Sequence, residues 1–286
     1  MITLLTWNIN NKKTILLEQA LKAVSNENKI DIIILQEAYG QFVNTVLSYQ
    51  YNEIVYPGNG IGSGVRIFLK KNTFKNFSIL RTDNKKLVFI HLQKIKSMEE
   101  FNIAAVHLHS KVNNSERQQL WKNLPLIQKI KEFEKTSTNN NNTILAGDFN
   151  HNPHESDLCE PNMINGVENK ELIKTLLNYP ISKKKYDFWY NPMWNLLGDY
   201  DYLNRKAKVT GTYFRYTEDE TPIWNLFDGF IIRPSLVDKV NYRQTKIITK
   251  TKMINFLKPF TIKKDESLIK EDLSDHLPVK FSLNIK

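Results

Sequence analysis

Ile32-Ile33-Ile34-Leu35 is an unbroken apolar run with no polar face. A strand of that kind must be covered on both sides, as central strands of layered α/β sheets are. What precedes it agrees. Ile2 to Ile9 reads as a short apolar strand carrying Asn8 at its end. Thr14 to Asn28 places Leu16, Leu17, Ala20, Leu21 and Val24 at helical spacing. Strand, helix, strand is a βαβ-like opening.

Further strands are expected at Val65 to Leu69, Lys86 to Lys94, Phe101 to His109 and Thr143 to Ala146. Helices are expected at Phe42 to Tyr49, Ser115 to Glu134 and Lys170 to Leu177. Pro57 to Gly64 is glycine-rich but lacks the Lys-Ser/Thr of a P-loop and the dinucleotide spacing, so it reads as a hairpin or substrate-rim loop. His151 to Gly211 is the least regular part, with four prolines and the aromatics Phe188-Trp189-Tyr190 and Trp194; long irregular stretches of this kind are usually functional loops. Thr212 to Tyr216, Trp224 to Ile232 and Val240 to Thr251 are strand-like, and Val279 to Ile285 reads as the last strand. No internal repeat or long linker divides the chain, so its 286 residues are read as a single domain, 1–286.

The formal charge is +10, and residues 233–270 hold ten Lys/Arg against three Asp/Glu. This balance suits an anionic partner. One cysteine, Cys159, excludes an internal disulfide framework and a thiolate metal site. No apolar stretch approaches the ~20 residues of a membrane span, and no leader pattern opens the chain. A cytoplasmic protein without stable membrane insertion is expected. Nothing in the sequence points to a protein partner.

Five polar clusters fall at the ends of expected strands: Asn8, Glu37, His107 with His109, Asp148 with Asn150, and Asp275 with His276. Asp228 reads as lying within a strand, in Leu226-Phe227-Asp228-Gly229-Phe230. A buried carboxylate there needs a partner, and His276 is the natural one. Glu37 and Asp275 supply carboxylate oxygens, which suit Mg²⁺, with Mn²⁺ as the alternative. Asp148 can orient or deprotonate a water, Asn150 can bond a phosphate oxygen, and His107 and His276 can contact the other oxygens as charge develops. The inventory fits metal-assisted phosphoester hydrolysis. His151 and His154 read as loop residues.

In order, Thr6-Trp7-Asn8-Ile9, Leu35-Gln36-Glu37, Ser63-Gly64-Val65, His107-Leu108, Gly147-Asp148-Phe149-Asn150, Phe227-Asp228 and Ser274-Asp275-His276-Leu277-Pro278-Val279 resemble the endonuclease/exonuclease/phosphatase superfamily. That family includes pancreatic-type deoxyribonuclease, exonuclease III-like endonucleases, sphingomyelinases, inositol polyphosphate 5-phosphatases and deadenylases. The resemblance implies an α/β fold, a DNase I-like four-layer α/β/β/α sandwich of two mixed sheets with the site at one sheet edge. It implies Glu37 as metal ligand supported by Asn8 and Asp275, Asp148 and Asn150 as the water-orienting and phosphate-binding pair, and Asp228 paired with His276. The family's Thr-His-Leu pattern favours His107; its Leu-His-Ser pattern would select His109.

Departures bear on substrate. Leu226-Phe227-Asp228-Gly229 lacks the Cys and Arg of the 5-phosphatase signature, and Asn10-Asn11-Lys12-Lys13 replaces the segment usual in abasic-site endonucleases. The expectation is a Mg²⁺-dependent nuclease acting on DNA or RNA, with the basic 233–270 segment, His109 and Trp194 assisting. The alternatives are a phospholipid or small-molecule phosphoesterase of the same fold, for which Pro192-Met193-Trp194 would be the lipid-facing loop, and a silent nucleic-acid-binding module.

Overall fold

A computed structural model describes residues 1–54, 64–81, 85–112, 114–138, 140–178, 187–199, 209–217, 221–259 and 266–285. Most of the expected glycine-rich loop, including Gly58, Gly60, Gly62 and Ser63, lies outside the described residues. The first half runs β1 (Ile2–Asn8), α1 (Ile15–Glu27), β2 (Ile32–Gln36), α2 (Phe42–Leu47), β3 (Tyr51–Glu53), β4 (Arg66–Lys70), β5 (Phe74–Arg81), β6 (Leu87–Lys94), β7 (Glu100–His107) and α3 (Glu116–Phe133). The second half runs β8 (Thr143–Asp148), α4 (Ser156–Cys159), β9 (Gly166–Val167), α5 (Lys170–Asn178), β10 (Trp189–Tyr190), β11 (Tyr213–Arg215), β12 (Ile223–Asn225), β13 (Asp228–Ile232), β14 (Lys246–Ile247) and β15 (Val279–Leu283).

Two mixed sheets form the body. The first has the order β14-β15-β1-β2-β4-β3 and the second β5-β6-β7-β8-β13-β10-β9. β1 lies parallel to β2, with Asn8 opposite Gln36, and antiparallel to β15. β7 lies parallel to β8 and β13 antiparallel to it.

The all-apolar run in β2 now has its reason. Ile32 and Ile34 point into a core shared by both sheets, where Ile2 and Leu4 meet Ile90, Ile103 and Ile144. Ile33 and Leu35 point the other way, under Leu17, Ala20, Leu21 and Val24 of α1. Each residue is fully buried, and each such side chain contributes about 1.5–3 kcal/mol. On the second sheet Phe89, Ala104 and Leu145 face outward onto Leu126, Ile127 and Ile130 of α3. Helix, sheet, sheet, helix is the expected four-layer sandwich. The helix starts follow from local chemistry: Thr14 Oγ1 accepts the Leu17 N–H, and Ser115 with Gln118 forms a capping box.

Three expectations are corrected. The run 224–232 is not one strand: it breaks after Asn225, and Asp228 is the first residue of β13 rather than an interior one. Residues 240–251 give only the two-residue β14, which pairs with β15 after a turn in which the Gln244 and Thr245 N–H groups bond Asn241 O at 3.1 Å. β5 was not anticipated; it caps the edge of the second sheet along β6.

Candidate active site

Strand register alone brings the polar residues to one edge. His107 and Asp148 are Cα partners at the ends of β7 and β8, and Asp228 opens β13 opposite Asp148. In the facing sheet Asn8 and Glu37 stand at the ends of the parallel strands β1 and β2. Face-to-face packing lets Asn8 Nδ2 span the gap, donating to Asp148 Oδ2 at 2.9 Å and to Glu37 Oε1 at 3.1 Å. The Asn8 Oδ1 accepts the Asn10 N–H at 2.9 Å. Asn8 thus bridges two carboxylates, in keeping with the supporting place beside Glu37 that the resemblance implied.

Gly147 makes the β7–β8 pairing possible. Its φ is +146°, and a Cβ there would stand 1.9 Å from Val106 O, so only glycine fits. Asp148 is fully buried; its Oδ1 accepts the Asn150 N–H at 2.8 Å. Asn150, at φ +54°, directs one amide hydrogen to Leu108 O at 3.0 Å.

The loop before β15 is tied down from three sides. Ser274 Oγ donates to Asn8 O at 2.6 Å and accepts the His276 N–H at 3.1 Å. Trp7 Nε1 donates to His276 O at 2.9 Å, and Leu277 N–H reaches Thr212 O at 2.8 Å. His276 Nδ1 then meets Asp228 Oδ2 at 2.7 Å. Thr212 Oγ1 receives the N–H groups of both Phe227 and Asp228 at 3.2 Å, fixing the carboxylate's backbone.

The two imidazoles are set to opposite charge states. Burial lowers His107 to about 4, with Asp148 only partly opposing it. Burial also works against the His276 cation, but Asp228, then Asp148 and Asp275, outweigh it and hold the ring at about 10. Asp148 is raised from its ordinary value, by burial first and then by Asp228.

These groups line a cleft of about 640 Å³. Asn8, Glu37, His107, Asp148, Asn150, Asp275 and His276 all reach it. Lys86, Lys111 and Arg215 add positive charge, while Tyr213 and Phe227 add an aromatic wall. The Tyr213 and Phe227 rings stack at 5.5 Å between centroids, and Tyr213 lies 4.9 Å from the His276 ring.

The sequence model of the Endonuclease/Exonuclease/phosphatase family matches residues 5–228, most of the chain. The chain belongs to this family. Its members are phosphoric ester hydrolases and typically use divalent metals. No curated protein matches the chain. The fold is similar to that of D. rerio TDP2 complexed with single strand DNA product, at 16% identity and TM-score 0.54, covering 99% of each chain. It is similar to Bacteroides thetaiotaomicron mannosyl-6-phosphatase, at 16% identity and TM-score 0.63, again covering 99% of each. The human Nocturnin catalytic domain with bound sulfate anion aligns at 17% identity and TM-score 0.56, over 99% of this chain and 92% of that one.

Within this family framework the donor set fits a hard divalent ion. Glu37 and Asp275 bring carboxylate oxygens to the cleft, and Cys159, the chain's one thiol, is engaged elsewhere with Pro153 O at 3.1 Å. A second grouping, Asp148, Asp228 and His276, brings ligand atoms within 4.8 Å of one another. There His276 Nδ1 is already bonded to Asp228, and Glu37 and Asp275 are further carboxylates in the cleft that could hold an ion.

Some expected residues are not brought to the cleft. His109 is absent from its lining; its N–H donates to Asn123 Oδ1 at 3.0 Å and its carbonyl accepts from Gln119 Nε2 at 2.9 Å, which ties it to α3. Trp194 sits in the 3₁₀ turn Pro192–Leu196 beside His154, with ring centroids 6.3 Å apart, also outside the lining. His151 does lie in the loop after β8, where it is buried, its Nδ1 on Phe149 O at 2.6 Å and Nε2 3.6 Å from Asp157. None of the described residues from 233 to 270 lines the cleft. Lys239 pairs with Glu99 and Lys258 with Glu271. The cleft's own cations were missed because Lys86, Lys111 and Arg215 lie far apart in sequence and converge only through folding.

Proposed function

We propose that this chain is a divalent-metal-dependent phosphodiesterase whose substrate is DNA or RNA, acting in the cytoplasm. The supporting observation is the composition of the cleft: the Tyr213–Phe227 aromatic wall flanks the His276 side, and Lys86, Lys111 and Arg215 line the same cavity. A phosphodiester carries an organic group on both sides of phosphorus, and a nucleotide offers a base to stack and phosphates to neutralise.

Glu37 and Asp275 would hold the Mg²⁺ or Mn²⁺, with Asn8 fixing Glu37 in place. When bound, the ion supplies charge stabilisation at the phosphate oxygens. Asp148, raised by burial, accepts a proton from the attacking water as the new P–O bond forms. Asn150 keeps one amide hydrogen for a non-bridging oxygen. His276, charged and held through Nδ1 by Asp228, turns its Nε2–H to the phosphate as negative charge grows. Neutral His107 adds a further hydrogen bond without competing for the metal's charge. The leaving oxygen departs with a proton from solvent or from an adjacent donor.

The test is a substrate panel with Mg²⁺, Mn²⁺ or excess chelator: single- and double-stranded DNA, RNA, abasic DNA, sphingomyelin and a sugar 6-phosphate. The reading predicts metal-dependent cleavage of an oligonucleotide. Turnover of only the sugar phosphate or lipid would replace the substrate, and full activity in chelator would refute the mechanism.

A further inference from the structure

Glu37 has an unusual backbone. Its φ is +50°, in the left-handed region where a non-glycine side chain is uncommon. Such a conformation persists only where its surroundings enforce it. The residues that follow show what does so.

Arg66 lies in β4, opposite Leu35 of β2 and two residues short of Glu37 in register. Its side chain is about 1% exposed. All five guanidinium hydrogens are used. Nε donates to Glu53 Oε1 at 2.6 Å and one terminal nitrogen to Glu53 Oε2 at 2.7 Å, a bidentate pair. That nitrogen also bonds Asn44 Oδ1. The other terminal nitrogen donates to Gly40 O at 2.7 Å and Ala38 O at 3.3 Å. The Ala38 N–H in turn reaches Gly64 O at 3.2 Å. The turn leaving Glu37 is therefore gripped at both polar groups of Ala38 and again at Gly40. A buried guanidinium needs its counter-charge, and Glu53 provides it from β3.

We infer that Arg66, neutralised by Glu53, is a positioning residue: it locks the turn after β2 so that the Glu37 carboxylate faces the cleft as a ready-made metal ligand. This rests on the reading of Glu37 as a ligand. Only a planar fork fills both roles, pairing Glu53 with one edge and holding two carbonyls with the other, so lysine is not an equivalent.

The test measures Mn²⁺ affinity of the purified full chain by electron paramagnetic resonance of free Mn²⁺, with kcat and KM alongside. Loss of an outer-shell partner costs about 10–100-fold in metal affinity. Arg66→Lys should weaken Mn²⁺ binding about 10-fold and lower kcat at fixed metal, with KM little changed. Glu37→Gln should weaken Mn²⁺ binding at least as much. If Glu37→Gln leaves affinity unchanged, the ligand assignment falls and the inference falls with it. If Glu37→Gln weakens it but folded Arg66→Lys stays within twofold of wild type, the positioning role alone is overturned. A residue serving only stability would lower the melting temperature without moving the Mn²⁺ affinity. Should Arg66→Lys not fold, Asn44→Ala removes a single bond of the five; a two- to fivefold weakening supports the role and an unchanged affinity overturns it.

Discussion

Replacing Asp228 by Asn keeps the shape of the side chain and removes its charge. The carboxylate sits 2.7 Å from His276 Nδ1, and both groups are buried, at 1% and 6% exposure. Burial lowers the affinity of the ring for a proton; Asp228 leads the groups that reverse this and bring it to about 10. At pH 7.5 the wild-type ring is therefore almost wholly protonated. If Asn returns it to about 6.5, roughly one ring in ten carries the charge at that pH. That alone costs about tenfold in kcat. Weaker orientation of a group that stabilises the transition state adds about 10²-fold, so a loss of 10²–10³ is expected overall. The deficit has a signature in pH. The variant's ring loses its proton as pH rises through about 6.5, whereas the wild type keeps it to about 10. The wild-type-to-variant ratio of kcat should grow by up to tenfold per pH unit from 6.5 to 9. The folding linkage has the same sign: the stabilisation from the raised His276 is fully present below about 6.5 and is lost as pH climbs toward 10. The assay is kcat and KM on a cleavable phosphodiester from pH 6 to 9, with melting temperatures at each pH. A folded Asp228→Asn protein with wild-type kcat at pH 7.5, or a ratio flat across pH, would refute the charged-imidazole reasoning.

Gly147→Ala should destabilise by the upper end of about 1–3 kcal/mol or more in urea unfolding, because its Cβ would sit 1.9 Å from Val106 O; unchanged stability would contradict the β7–β8 approach. Arg233, buried over the Trp189 ring at 3.9 Å and paired with Glu134 and Asp187, lies at the end of β13 far from the cleft. Arg233→Met should cost about 3–5 kcal/mol while kcat per folded molecule stays at the wild-type value; a selective loss of kcat would mean the network reaches the cleft. Arg215→Gln should weaken oligonucleotide binding and lower the slope of log affinity against log salt by about 0.7–0.9, as one lost phosphate contact does. An unchanged slope would remove Arg215 from the substrate path.

Much of this protein was legible in its residues. Ile32 to Leu35 announced a strand covered on both faces, and the two faces proved to be two separate cores. The strand-end residues Asn8, Glu37, His107 and Asp148 were legible because a polar residue closing an apolar run has few reasons to be there, and His276 because it stands just ahead of one. The Asp228–His276 partnership followed from the cost of a lone buried carboxylate, although the start of β13 was hidden by the apolar residues on either side of Asp228. Periodicity sees local pattern and does not register where one strand ends and the next, in a different sheet, begins.

Other features were decided by tertiary structure. Charge counted along the chain pointed to residues 233–270, yet the cleft's cations come from β6's approach, from the loop after β7 and from β11. Whether a lysine faces substrate depends on where its strand ends in space. Asn8 bridges Glu37 and Asp148 because two sheets meet at a spacing that an amide spans. Arg66 gave no sign of function in sequence, since its five bonds join β4 to the turn after β2, to α2 and to β3 across 28 positions of the chain. Local sequence determines which segments become strands and which residues stand at their ends, because that is set by backbone geometry and nearest neighbours. Which of those ends meet, and which charges then share a cavity, is set by packing between distant segments.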